Sequence, residues 1–514
     1  MDSDNLSNIN LHKLENEKPV DDIDRAALDA YVQQRLKEET EKRASGREAR
    51  LESLRVVGEL LIIFVLGLFI VSPFVQLVLR AANGVEYRPL LVTSSYVRYY
   101  QWTVRNTHYI ARFTAALVLC WLVLYGIVRR RSGTPPARAL AKKELLRRLL
   151  PLFVFLLFAL SIALVTIIRG PNEYDLTGHP YMYESVYSYI SYPLVYFFCG
   201  MLLFREKHRR LLLYALLFTS LLINVLALWD QWVLKLALFN GGGMCAVFHN
   251  SNHYGYYLAI TIITGALLFV FEKTLWLKIF SAACAFVATI ALIINNTLGA
   301  YLAVLFVLVL FAVYSFFISK QNRLMSVILI LAYLVITVIM SFKYATILPS
   351  VIKLQSDVNM VAADPLESDR AGSGRWRLWK GTVQHMDESP WLGFGVEGLL
   401  NTHHIGTPHN EFLQYAEFFG IQTSALYIIA CAIILLRVLF SSKRLDKTTL
   451  ICFFVSVGYL VSSFFGVAIY YTTPFIYIFL GLTYAEYLRL PKESREDEPP
   501  PEADPAPAEA PASE

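Results

Sequence analysis

Apolar runs of about 20 residues recur along the chain, the length that carries a helix across the hydrocarbon core of a bilayer. They fall near 56–79, 109–128, 149–168, 186–204, 211–229, 254–271, 276–294, 298–318, 324–342, 423–440, 450–465 and 472–488. The pattern predicts an all-α polytopic membrane protein with about twelve transmembrane helices and both termini on one side. The longest break, 343–422, precedes the last three runs and is expected to form a large helical loop. Residues 1–55 read as a charged segment that is helix-prone from Ala26 to Arg55, and 56–488 as the membrane domain. The tail 489–514, rich in proline, glutamate and alanine, is expected to be disordered.

Inside the long break the pattern changes period. Trp376, Trp379, Val383 and Met386 recur at the spacing of one helix face, predicting a helix over 375–386. Pro390 is expected to stop it, and the Gly393–Gly398 segment to turn tightly. Thr407-Pro408 then reads as an N-cap followed by the first helical residue. His409, Asn410 and Glu411 would sit in that helix's first turn, with Phe412, Leu413, Ala416 and Phe419 on its apolar face.

Charge decides orientation. The loops 129–148, 205–210, 272–278, 319–323 and 440–449 carry 19 lysines and arginines, against 6 in the alternate short loops. Positive charge favours the cytoplasm, so both termini are expected there and the loop 343–422 outside. Of the ten histidines, only His12 and His208 would then face in. The N-terminus does not read as a cleavable signal peptide, because no apolar run begins before about Val56. The six cysteines are scattered and imply neither a disulfide framework nor a zinc framework. With no P-loop and no GxGxxG, nothing suggests nucleotide hydrolysis, and no nucleic-acid partner is expected.

Candidate chemistry gathers in the long loop. Arg370, Arg375 and Arg377 lie within eight residues, beside Trp376 and Trp379. One arginine there would snorkel to headgroups or pair with Glu367 or Asp369. Three together suit an anionic ligand, since guanidinium forks match phosphate and carboxylate. His409 is a candidate base: the helix dipole would keep its ring neutral, while Glu411 would pull the other way. Asn250 and Asn252 either cap the helix that follows or offer amides to a sugar. The Asn295-Asn296-Thr297 triplet reads as a polar turn whose groups could line a cavity. His403, His404 and His409 match no strong zinc spacing, so no metal and no cofactor are expected.

These residues resemble the O-antigen ligase and polymerase superfamily of membrane glycosyltransferases. Arg375-Trp376-Arg377-Leu378-Trp379 with Pro390 and Gly393-Phe394-Gly395 is similar to the family's outer-loop run. His409-Asn410-Glu411-Phe412-Leu413 resembles its His-Asn-x-x-Leu signature, and Phe248-His249-Asn250-Ser251-Asn252 its upstream asparagine motif. The resemblance extends over roughly 149–488. It departs at Leu298, where many members carry an arginine that contacts pyrophosphate, and Arg370 or Arg377 would have to compensate.

The resemblance implies a multi-pass protein of the bacterial inner membrane that takes a glycan from an undecaprenyl-diphosphate carrier. The acceptor would be a glycan or lipid-linked hydroxyl, and transfer would be inverting and metal-independent. Arg375 and His409 would be catalytic, with Arg370, Arg377, Trp379, Asn410, Glu411, Asn250 and Asn252 binding substrate. The rival is a non-enzymatic flippase or exporter of lipid-linked glycans. That rival would keep its ionisable groups near the bilayer midplane.

Overall fold

The computed structural model describes residues 25–82, 113, 115–130, 142–178, 184–235, 244–248, 250–320, 322–470 and 472–488. The loop 80–108 beyond Ala82, with its Glu86 and His108, lies outside the described residues, as do His179, His249 and the tail from Pro491. The described chain is helical, with no strand among those residues. Eight of its helices are long and apolar enough to cross a membrane.

Those eight are α1 (Arg25–Ala82), α3 (Lys142–Arg169), α7 (Glu206–Trp229), α8 (Ser251–Phe271), α9 (Leu275–Asn295), α10 (Leu298–Tyr314), α11 (Arg323–Tyr344) and α16 (Ile421–Phe440). The other four expected spans differ for local reasons. The run 109–128 becomes a helix over 115–130, α2. The run 186–204 is divided into α5 (Val186–Ser191), a π-helical turn at Tyr192–Phe197 that contains Pro193, and α6 (Phe198–Met201). A proline removes a backbone donor and so interrupts the regular ladder. Helices α17 (Lys447–Ser463) and α18 (Thr473–Tyr487) are apolar and follow their expected runs to within three residues, with 17 and 15 residues against the roughly 20 typical of a crossing.

Two compact units can be described. In the first, formed by the start of α1 with α2, the Trp121 indole donates to the Leu54 carbonyl at 2.8 Å and stacks on Tyr125. The second unit, 62–116 with 140–514, holds everything described below. Its hub is α8, with 83% of its apolar window buried against α9, α10, α17 and α7. Helix α11 is the opposite case, only 22% buried, and presents its aliphatic side chains outward as a lipid-facing helix would.

The long polar stretch folds onto this bundle through short helices: α12 (Ile347–Ala363), α13 (Arg375–His385), α14 (Gly398–His403) and α15 (Glu411–Phe419). Helix α13 matches its expected range, but it ends at His385 in a 3-10 turn, Met386–Glu388, before Pro390 is reached. The next helix starts later than expected. Thr407 does not cap it; the Thr407 hydroxyl donates instead to Glu397 at 2.8 Å. Asn410 is the cap, its Oδ1 accepting from the amides of Phe412 and Leu413 at 3.0 and 3.1 Å. Asparagine is a strong N-cap because its carbonyl reaches those orphan donors.

One ion pair fastens the loop to the bundle. Arg169, the last residue of α3, meets Asp175 at 2.5 Å, and Asp175 is fully buried in the short α4 (Glu173–Thr177). The same arginine donates to the carbonyls of Leu392 and Phe418 at 3.3 and 3.1 Å. The other Asp175 oxygen accepts from the Val396 amide at 2.9 Å, and Asn172 donates to the Val396 carbonyl at 3.2 Å. Gly393 and Gly395 have φ of 62° and 83°, and a Cβ on Gly395 would lie 2.6 Å from Arg169. Both freedom at positive φ and close approach therefore require glycine there.

Removing one partner of a buried pair strands the other charge, which costs about 3–5 kcal/mol. Asp175→Ala is therefore expected to lower unfolding stability in detergent by that order. A denaturation midpoint equal to that of the parent protein would show that the pair contributes nothing net.

Candidate functional site

A cavity of about 670 Å³ opens between the start of α8, the α9–α10 turn, α12 and α13. Its lining includes apolar Leu298, Leu302, Leu354, Val358, Val361 and Phe465. It also includes Asn252, Arg375, Trp376 and Trp379, with Lys353 and Asp357 from α12. Asn295 donates to the carbonyls of Met244 and Ser251 at 2.6 and 3.0 Å, and Thr297 donates to Ser251 at 3.1 Å. The Asn295-Asn296-Thr297 turn thus braces the start of α8 and also lines the cavity, so both readings of the triplet hold.

Arg375 is set by its neighbours. It opens α13 after the Ala371–Gly374 turn, which Asp357 pins by accepting from the Gly372 amide at 3.0 Å. Its guanidinium donates to the Gly372 carbonyl at 3.3 Å and to Asn252 at 3.4 Å, while its Nε is buried without a partner. Burial lowers its pKa, opposed by the nearby Tyr256 hydroxyl. An arginine remains charged under such a shift, so a largely desolvated cation with one buried donor unpaired stands at the cavity.

Trp379 holds the other half of the site. Its indole donates to the Pro408 carbonyl at 2.7 Å, tying α13 to the residue before His409. His409 has φ 50°, just ahead of the Asn410 cap, so it lies outside the helix rather than in its first turn. Its pKa is lowered to about 4, first by burial and then by the charge of Arg375. The expected neutral imidazole is thus obtained from desolvation and a cation, not from a helix dipole.

The other predicted residues separate. Asn252 joins Arg375 at the cavity, whereas Asn250 caps α8 through the Asn252 amide at 2.8 Å. Asn410 spends its carbonyl on its own helix. Arg370 and Arg377 are exposed and do not line the cavity. Glu411 turns into the core among Tyr415 and Tyr427, whose hydroxyls donate to it at 3.4 Å. Of the trio His403, His404 and His409, only His403 enters a cluster that could hold a metal, joined by His385 and Glu388. Sequence reasoning missed Lys353 and Phe465, which come from segments without a polar motif and meet the site only through packing.

A membrane protein helical throughout its described residues, with a cavity lined by apolar side chains, Arg375, Lys353 and Asp357 and a neutral histidine near Arg375, is the class that fold and site define. Residues 283–428 match the family model described as O-Antigen ligase. The chain carries a domain of the O-antigen ligase and polymerase superfamily over that stretch. The match includes the α9–α10 turn, Lys353, Arg375 and His409, and leaves Asn250 and Asn252 outside. A search of curated proteins finds no match to the chain.

Four carboxyls, Glu184, Glu397, Glu411 and Glu417, are buried. Burial raises Glu411 to about 7 and Glu184, fully buried against Tyr192, to about 8. Glu397 is raised by burial, and Glu417 well above the usual range by burial and by Glu397. Both Glu417 oxygens are buried without a partner. The folded state then keeps protons that the unfolded chain loses above 4.5. Stability should be greatest near that pH and fall as pH rises through about 7 to 8. Glu417→Gln should stabilise increasingly toward alkaline pH, read as melting temperature in detergent. An unchanged pH slope would mean that Glu417 is solvated in the folded protein.

Proposed function

We propose that the protein is a membrane glycosyltransferase that moves a glycan from an undecaprenyl-diphosphate carrier to an acceptor hydroxyl, outside the cytoplasmic membrane. The O-antigen ligase match supports a lipid-linked glycan as substrate. The observation that carries the reading is one cavity lined both by apolar side chains and by the cations Arg375 and Lys353. An isoprenoid diphosphate combines the same two needs, a chain that prefers hydrocarbon and a head that needs cations. Asn252 would orient Arg375, and Trp379 would hold His409 in place.

In this reading the acceptor oxygen attacks the anomeric carbon while His409 takes the hydroxyl proton. The bond from that carbon to the phosphate oxygen breaks, and the electron pair leaves on the diphosphate. Attack opposite the leaving group inverts the anomeric centre. Arg375 and Lys353 stabilise the charge that develops on the leaving diphosphate. The two cations do this work with no metal ion in the reaction. Lys353 would take the place near Leu298 for which Arg370 and Arg377 were candidates, because it lines the cavity and those two arginines do not.

The test is reconstituted transfer from a purified lipid-linked glycan in vesicles. Arg375→Ala is expected to lower turnover at least about 100-fold, and Arg375→Lys to rescue little, since a point charge does not reproduce the fork. Lys353→Ala should cost about 10- to 100-fold, the loss of one charge-assisted hydrogen bond. Near-parental turnover in Arg375→Ala would sink the assignment. An exporter would move the carrier-linked glycan across the vesicle without cleaving it.

His409 sets the pH dependence. With its pKa lowered to about 4, it is already a free base at neutral pH, so its protonation should slow transfer only on the acid side. His409→Gln should remove that acid limb together with most of the turnover. A variant that keeps both would confine His409 to packing.

A further inference from the structure

We propose that His385, Glu388 and His403 form a binding site for one zinc-class divalent ion, which ties the end of α13 to the end of α14. His385 and Glu388 are three residues apart, on the last turn of α13 and the 3-10 turn that follows. His403 closes α14, fifteen residues further on. The two imidazoles stack with centroids 3.9 Å apart and planes inclined by 23°. Glu388 spans them, with Oε1 2.6 Å from His385 Nδ1 and Oε2 3.0 Å from His403 Nε2. One ligand atom from each residue lies within 4.8 Å of the other two.

Two imidazole nitrogens and a carboxylate are the donor set that suits zinc, whereas calcium and magnesium prefer oxygen alone. Around zinc, with bonds of about 2.0–2.2 Å, tetrahedral ligand atoms sit about 3.4 Å apart. Small side-chain rotations close that gap, and the half-exposed Glu388 has room to make them. On binding, the imidazole nitrogens that face Glu388 would turn their lone pairs to the ion, in exchange for their hydrogen bonds to that carboxylate. Phe394 packs edge-on against His403 with centroids 6.1 Å apart, giving the site one apolar side. Water would complete the fourth position. None of the three residues lines the cavity of Arg375, so the ion's role is to hold the loop and not to act on the diphosphate.

The experiment uses tag-free full-length protein in detergent, stripped with a chelator and titrated with Zn²⁺ alone by calorimetry. Cobalt substitution adds a visible spectrum that reports nitrogen ligation. The expected result is one equivalent bound, a tetrahedral cobalt spectrum and a higher melting temperature with zinc. Glu388→Gln and His403→Gln should each weaken binding by more than about 10-fold, while His404→Gln, next in sequence, should leave it unchanged. Both lie at the surface, and their metal-free melting temperatures check that they still fold. Absence of stoichiometric binding, or binding that survives the double variant His385→Gln with His403→Gln, would overturn the site.

Discussion

The pair of Arg169 and Asp175 is the constraint on which the loop depends. An arginine at the end of a membrane helix has more donors than its own helix can satisfy, and a fully buried aspartate has more acceptor sites than one cation fills. The surplus is taken up by the loop: the carbonyls of Leu392 and Phe418 on the arginine, and the Val396 amide on the aspartate. The Phe394 and Gly395 amides then bond to the carbonyls of Glu417 and Phe418, which seats the glycine turn on the end of α15. From there Gln414 joins α15 to Tyr189 at 3.0 Å and to the Ala468 amide at 2.8 Å. One ion pair and a short series of hydrogen bonds thereby hold a polar loop on an apolar bundle.

Desolvation does the chemical work around that frame. It holds the His409 ring neutral, leaves one buried Arg375 donor unpaired, and raises Glu411 and Glu417 above the usual carboxyl range. These effects have a common origin, the poor solvation of charge away from water. Their signs differ because the groups differ: the base is freed of its proton, the acids retain theirs, and the guanidinium keeps its charge. A base and a cation beside each other are thus available at neutral pH, and Arg375 itself helps to maintain the base.

The helical class was legible because hydrophobic periodicity is a property of consecutive residues. So was α13, whose Trp376, Trp379 and Val383 repeat at helical spacing, and so was the glycine turn. The coincidence of arginines, histidine and glycines in one polar stretch marked the candidate site for the same reason. Helix lengths were less legible. The run 186–204 carries a proline whose effect on the ladder depends on what packs around it.

What only the tertiary structure decided is which of several equivalent residues meet. Three arginines read alike in sequence, yet Arg375 alone is turned into the cavity, because Asp357 and Asn252 hold its turn and its side chain. Lys353 and Phe465 carry no local signal at all and arrive through the packing of α12 and the end of α17. Thr407 read as the cap, yet its hydroxyl bonds to the buried Glu397, and Asn410 caps the helix instead. Local sequence determines what a segment can form and which chemistry it carries. Pairing across 123 or 221 positions, as between Arg375 and Asn252 or Asp175 and Val396, depends on long-range packing that no local pattern encodes.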